Sequence, residues 1–277
     1  MQYKATKTGP EYSAEVSLLQ SKQAHATVAD VIKANQVLHK MKTRLDREMV
    51  IHAFDGEELC LVCWEDAAHG NRRDGTSTAG FVIAMAELNI LKGDLCKISI
   101  VDWGSHKIHQ VCRSAGVAEA RSAADAEDSL SAVAFLFGEI LGKTGTKDEV
   151  IREFHKVIAT DSKNTYDNLL KNGAYLGMKE KMAGLDLKAL KQACCLRRTS
   201  VRWVHGDAML ANTLTKSGEE HQMNTFYERG HKYRLTYDPA FMSAKKRKAM
   251  GIEMLADDAD LDTMNRGFEE FFNDVPE

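Results

Sequence analysis

Hydrophobic and polar positions follow two different rhythms along this chain. Between Glu58 and Trp103 apolar residues recur at every second position, whereas from Val117 onward they recur every three or four. A period of two marks a strand with one buried face, and a period near 3.6 marks an amphipathic helix. Three strands are therefore predicted over Glu58–Asp66, Thr78–Ala86 and Cys96–Trp103, the first two joined through an Asn71–Gly75 turn that carries an Asp-Gly pair. A long helix follows over Val117–Leu141, stopped by Gly142. The pattern then predicts a strand over Lys156–Asp161, a short helix over Lys163–Lys171 closed by Asn172-Gly173, and a helix over Met178–Cys195. A last strand over Ser200–His205 and a last helix over Ala208–Lys216 complete the series. Upstream, Ser13–Leu45 reads as one or two helices, with Val28, Val31, Ile32, Leu38 and Leu45 on a stripe interrupted by Asn35. Three hairpin-connected strands followed by alternating helices and strands imply a mixed sheet covered by helices, an α/β fold.

Composition changes this picture little. The 277 residues are 44% hydrophobic and 28% charged, the balance of a globular protein with a real core. No apolar run approaches the roughly 18 residues of a membrane span, and the N-terminus lacks a signal-peptide core, so no membrane partner and an intracellular location are expected. Cys60 and Cys63 form a CxxC within a strand, where they point to opposite faces, and Cys194-Cys195 has no second pair at a suitable spacing. No zinc site is expected. The net charge of −3 hides an asymmetry: Asp257–Glu277 alone carries −7, which leaves +4 on the remainder. Arg72-Arg73, Arg197-Arg198 with Arg202, and Lys245–Lys248 concentrate that positive charge, which permits contacts to phosphates.

The chemistry lies in acids placed where a core wants apolar groups. Cys60, Val62, Trp64 and Asp66 share one strand face, and Val157, Ala159 and Asp161 share another, each row ending in an Asp. If these strands are parallel neighbours, both carboxylates emerge at the carboxyl edge of the sheet, where open α/β sheets bind ligands. Taken singly, either Asp can equally be a turn-starting residue. Glu119 falls on the helix stripe defined by Ala123, Ala126, Leu130, Val133 and Phe137, whereas Asp125 and Asp128 fall off it. A Glu there is costly unless paired or metal-bound, although the first helical turn also favours an acid. Carboxylates converging at one sheet edge suit hard cations, Mg²⁺ first, and two such ions about 4 Å apart can hydrolyse a phosphodiester.

The wording of the motifs around these acids carries a family resemblance. Trp64-Glu-Asp-Ala-Ala, with Thr76-Ser-Thr-Ala-Gly80 after the turn, resembles an Asp-Ala strand end followed by a Ser-Thr-x-Gly strand. Asp102-Trp-Gly-Ser-His-Lys107 is similar to Ser-Trp-x-Ser-x-Lys, and Arg113-Ser-Ala-Gly-Val-Ala-Glu-Ala120 to a Ser-Ser-x-Ala-Glu helix start. Ala159-Thr-Asp-Ser-Lys163 is similar to Asp-x-x-Ser, and Ala211-Asn-Thr-Leu-Thr-Lys216 to a terminal Ala-Asp-x-Leu-Thr-Lys. In this order, from about Leu59 to Ser217, they resemble the ribonuclease H domain of copia-type LTR retrotransposon polyproteins. Gly9–Ser17 and the helical Asn35 region resemble the segment that connects reverse transcriptase to it, and the polymerase's Tyr-x-Asp-Asp motif is absent. The chain thus reads as a truncated or separately expressed fragment. The expected division is a helical connection remnant (1–55), a ribonuclease H-like domain with a five-stranded mixed sheet (56–218), and a helical, polar extension with the acidic tail (219–277).

The resemblance implies that Asp66 bridges two Mg²⁺ or Mn²⁺ ions and that Glu119 and Asp161 complete the shell of one of them. The family's fourth catalytic acid falls on Asn212, whose amide keeps an oxygen ligand but loses a charge, so that ion should bind more weakly. Asp207 is expected to cap the last helix rather than to replace it. His205 is a candidate proton shuttle, and Arg72, Arg73, Lys107, Arg113 and Lys216 are candidate phosphate contacts. The implied activity is metal-dependent cleavage of RNA in an RNA–DNA hybrid, with a reverse transcriptase supplied elsewhere as a partner and the cytoplasm or nucleus as the site of action. The alternatives are a catalytically inactive nucleic-acid-binding remnant, or an interaction protein using Lys245–Lys248 and the tail. Asn212 divides the first reading from the others.

Overall fold

The protein is described here by a computed structural model covering residues 1–45, 47–54, 58–171, 181–242 and 244–251. The alternating segments form β1 (Leu59–Ala68), β2 (Thr78–Glu87) and β3 (Cys96–Lys107), paired antiparallel in sequence. β4 (His155–Thr160) lies parallel to β1 on its free side, and β5 (Thr199–Trp203) lies parallel to β4. The five-stranded mixed sheet implied by the ribonuclease H resemblance is therefore present. A sixth short strand, β6 (Lys232–Tyr233), extends it beside β3, giving the order β5-β4-β1-β2-β3-β6.

Alternation sorts the strand residues onto two cores. Cys60, Val62, Trp64, Val157 and Ala159 face one side with Val82, Ala84 and Ile98. Leu61, Cys63, Ile83 and Ile158 face the other, where they meet Ala120, Ala123, Ala126 and Leu130 of α4. Cys60 and Cys63 thus occupy opposite faces, and both are buried free thiols.

The α-helices α1 (Gln2–Lys7), α2 (Ser13–Gln20) and α3 (Val28–Thr43) precede the sheet. The long helix α4 (Ala115–Ile140) begins where the Ser114 hydroxyl accepts the Val117 amide, a cap that satisfies an otherwise unpaired donor. α5 (Lys147–Arg152), α6 (Lys163–Leu170) and α7 (Lys181–Arg197) complete that layer. The Asn172-Gly173 stop and the Asp257–Glu277 tail lie outside the described residues.

Two expectations fail. Val28, Val31, Ile32, Leu38 and Leu45 are exposed, and α3 instead buries Val37 and Met41 against Ala5, Tyr12 and Val16. Its rotation follows its charges: Lys33 reaches buried Glu15 at 2.7 Å, and Lys40 pairs with Glu15 and Glu220. A buried carboxylate without these partners would cost more than an exposed valine. The expected helix over Ala208–Lys216 is also broken, into a 3₁₀ turn at Gly206–Ala208 and the four-residue α8 (Asn212–Thr215). Met209, Leu210, Ala211 and Leu214 all enter the core, an arc too wide for the single buried face of a regular helix.

Beyond α8, the helix α9 (His221–Glu228) leads into β6, and Phe226, Tyr233 and Phe241 join the same core as Trp64. The Trp64 and Tyr233 rings meet edge to face at 4.8 Å. A last helix, α10 (Ala244–Ala249), ends the described chain. Among the described residues no helix is long and apolar enough to cross a membrane.

Candidate active site

Because β1 and β4 run parallel in register, with Trp64 beside Ala159 and Glu65 beside Thr160, their carboxyl ends lie together. Asp66 sits near the end of β1 and Asp161 directly follows β4. Glu119 comes from the second turn of α4, on the side facing the sheet. One carboxylate oxygen from each of Asp66, Glu119 and Asp161 lies within 4.8 Å of the other two.

Two glycines make room for this cluster. Gly80 is the cross-strand partner of Asp66, and a Cβ there would stand 2.8 Å from both Leu214 Cβ and Thr215 Cγ2. Its absence lets α8 lie close over β2 and deliver Thr215 and Lys216 to Asp66. A Cβ on Gly206 would stand 3.1 Å from Asp161 Oδ2, so the turn after β5 passes directly by that carboxylate. Trp203 Nε1 donates to the Asp161 carbonyl oxygen at 3.1 Å and holds the turn in place.

Asp66 is 1% exposed, yet its polar atoms are served. The Thr215 hydroxyl donates to Oδ2, the Lys216 ammonium donates to Oδ1 at 3.1 Å, and the Ser122 hydroxyl donates to its carbonyl oxygen at 2.7 Å. Glu119 is served less well, since its Oε2 is buried with no hydrogen-bond partner among the described residues. Burial first, and then the neighbouring carboxylates Glu65, Asp66 and Asp161, push its carboxyl up to about 10. Burial and Asp66 push Asp161 up to about 6, and burial raises Asp66 against the opposing pull of Lys216 and Thr215. These residues fit a hard divalent cation. Three carboxylates converge, Glu119 Oε2 has no partner among the described residues, and their mutual repulsion is what a cation relieves.

Sequence reasoning missed Glu65 and Thr215. Glu65 is fully buried on the opposite strand face from Asp66, both its carboxylate oxygens lack hydrogen-bond partners among the described residues, and burial pushes it up to about 8. The Thr160 and Ser122 hydroxyls lie alongside and ease that burial without forming a bond to it. The signal was there: Leu61, Cys63 and Glu65 form a second alternating row that also ends in an acid.

The remaining expected site residues divide into two groups. Asn212 and Lys216 reach the cluster. Asn212 Nδ2 donates to the Gly206 carbonyl oxygen at 2.9 Å, which turns Oδ1 toward Lys216 at 2.6 Å. Of the others, Arg72, Arg73, Lys107 and His205 are engaged elsewhere and Arg113 is exposed. Arg72 is buried, donating to Thr78 and Ser17, so its guanidinium belongs to the fold. Arg73 is exposed and donates to the His25 carbonyl oxygen, Lys107 pairs with Asp74 at 2.6 Å, and Arg113 is exposed. His205 packs against the Trp203 and Tyr237 rings, and its Nδ1 accepts the Asp207 amide. The cap of this turn is therefore His205, whereas the expected cap, Asp207, pairs with Lys246 and lies 3.2 Å from His205 Nδ1.

No family model and no curated protein matches the chain. Among solved structures it is similar to ribonuclease H1 of the halophilic archaeon Halobacterium salinarum NRC-1, at 16% identity over 59% of this chain and 97% of that one, with a TM-score of 0.36. It is also similar to LC11-RNase H1, isolated from compost, at 15% identity over 56% of this chain and 92% of that one, with a TM-score of 0.39. A foamy viral protease-reverse transcriptase in complex with an RNA/DNA hybrid matches at 12% identity over 67% of this chain and 25% of that one, with a TM-score of 0.32. These likenesses are distant, and the chemistry rests on the carboxylate cluster itself.

Proposed function

We propose that this protein is a divalent-metal-dependent ribonuclease H-like endonuclease that cleaves the RNA strand of an RNA–DNA hybrid. The convergence of Asp66, Glu119 and Asp161 at the carboxyl edge of β1 and β4 carries this reading. Asp66, Glu119 and Asp161 would hold Mg²⁺ or Mn²⁺, and the bound cation would supply Lewis-acid stabilisation of charge on the phosphodiester and on attacking water. Thr215 and Lys216 hold the Asp66 carboxylate in one orientation. Ser122 ties the backbone of β1 to α4 and so fixes the distance between Asp66 and Glu119. Trp203 and the Gly206 turn fix Asp161 from the other side. Arg113, exposed just ahead of α4, would meet phosphates of the substrate. The motif order from Leu59 to Ser217 supports a copia-type retroelement origin, in which the helices before residue 56 descend from a polymerase connection and the segment after 218 is an extension of the domain.

The test is a Mg²⁺ titration of RNA-strand cleavage in a defined hybrid. Wild type should cleave with a saturable dependence on Mg²⁺, and Asp66→Asn should abolish cleavage while its circular dichroism shows a folded protein. Hybrid binding without cleavage at any Mg²⁺ concentration would replace this reading with that of a nucleic-acid-binding remnant.

A further inference from the structure

The Asp66 carboxylate faces two groups at once. Glu119 and Asp161 each bring a carboxylate oxygen within 4.8 Å of one of its own, and the Lys216 ammonium stands 3.1 Å from Asp66 Oδ1 and 2.6 Å from Asn212 Oδ1. That ammonium is held by more than its charge. Asn212 cannot turn its amide over without losing the bond from Nδ2 to the Gly206 carbonyl oxygen. The Lys216 amide donates to the Asn212 carbonyl oxygen at 3.0 Å, which fixes the start of the lysine side chain. The second oxygen of Asp66 is occupied by the Thr215 hydroxyl. Lys216 thus lies between the two oxygen donors, Asp66 and Asn212, that a second divalent ion would need.

Charge leads to the same conclusion. Once a bound cation has displaced their protons, the carboxylates of Asp66, Glu119 and Asp161 against one ammonium leave two negative charges, the amount that one divalent cation neutralises. A second divalent ion would have to share Asp66 with a positive lysine only about 3 Å away, a repulsion that is severe in a partly buried site. The neutral Asn212 amide offers no charge to offset it.

We propose that Lys216 acts as a fixed cation between Asp66 and Asn212, so that the cluster takes one divalent ion, on Asp66, Glu119 and Asp161, rather than two. This rests on the reading of the cluster as a divalent-cation centre. Asn212 is then matched to Lys216: its amide oxygen anchors the ammonium without adding a charge that would call for a further ion.

The experiment counts Mn²⁺ on the full chain by isothermal titration calorimetry and reads the ion by electron paramagnetic resonance. Wild type should bind one Mn²⁺ with the spectrum of an isolated ion. The double substitution Asn212→Asp with Lys216→Met removes the ammonium and adds a carboxylate, and it should bind two ions with a spin-coupled spectrum. Lys216→Arg, which keeps the charge, should remain at one. Two coupled ions in wild type overturn the proposal and leave the hydrolase reading standing, and that result needs no variant to fold. One ion in a folded double variant also overturns it. No ion on any form overturns the cation-centre reading and the proposal with it.

Discussion

Asp66 and Gly80 are direct partners across the antiparallel β1–β2 pair, and the missing side chain of Gly80 is what allows Thr215 to reach the Asp66 carboxylate. Leu214 and Thr215 lie so close over β2 that one added carbon at position 80 would stand 2.8 Å from each. The glycine therefore belongs to the site although it offers no chemistry of its own. It sets the height of α8 above the sheet, and with it the positions of Thr215, Lys216 and Asn212.

Gly80→Ala should accordingly push α8 away from β2. Overpacking of this kind costs about 1–3 kcal/mol. The urea midpoint should fall by a corresponding amount, and Mn²⁺ affinity should fall with it, because Asp66 loses its alignment. A variant as stable as wild type with unchanged Mn²⁺ affinity would show that α8 does not position Asp66.

The raised carboxyls make a prediction about pH with a definite sign. Glu119 is pushed up to about 10, so the folded, metal-free protein keeps a proton there that the unfolded chain releases near the ordinary carboxylate value. A folded-state pKa above the unfolded one gives stability that is complete at low pH and is lost as pH rises toward the folded value. Glu119→Gln carries no titrating proton. In chelator, its melting temperature relative to wild type should therefore climb steadily from pH 5 to pH 9. Added Mn²⁺ should reverse the order at high pH, raising wild type well above the variant, because the cation takes the place of the proton. A constant offset between the two proteins across this range would remove Glu119 from the cluster.

Much of this site could be read before the fold was seen, for identifiable reasons. Strand alternation placed Asp66 beneath Cys60, Val62 and Trp64, and these residues do share a core. Helical periodicity placed Glu119 on the stripe of Ala123, Ala126 and Leu130, which packs on the sheet. Both inferences use local geometry that the tertiary contacts at this site leave in place. The role of Lys216 was not legible, because it depends on the close approach at Gly80, between residues far apart in sequence. The orientation of α3 was not legible either, since Glu15 and Glu220 set it from outside the helix and against its own apolar stripe. Glu65 was legible but passed over, because the alternating row it ends lies on the face opposite Asp66.

Arg72 and Arg113 separate a structural arginine from one available to a substrate. Arg72 is buried and donates to Thr78 and Ser17, linking the β1–β2 turn to α2, whereas Arg113 is exposed just ahead of α4. An arginine only 7% exposed, with Nε and Nη2 donating within the fold, presents almost no surface to a phosphate. Arg72→Met should leave the Thr78 and Ser17 hydroxyls with fewer partners and lower stability by roughly 1–3 kcal/mol. It should not change how steeply hybrid affinity falls with salt. Arg113→Ala should do the reverse: melting unchanged, and the slope of log affinity against log salt shallower by about 0.9, the value for one lost phosphate contact. Both follow from fluorescence-anisotropy titrations of the hybrid at several salt concentrations, in chelator so that nothing is cleaved. If Arg72→Met flattens the slope while melting stays unchanged, Arg72 swings out to the nucleic acid and its place in the fold is not its role. If Arg113→Ala leaves the slope untouched, the hybrid does not run past the start of α4, and the path of the substrate must be drawn across another face.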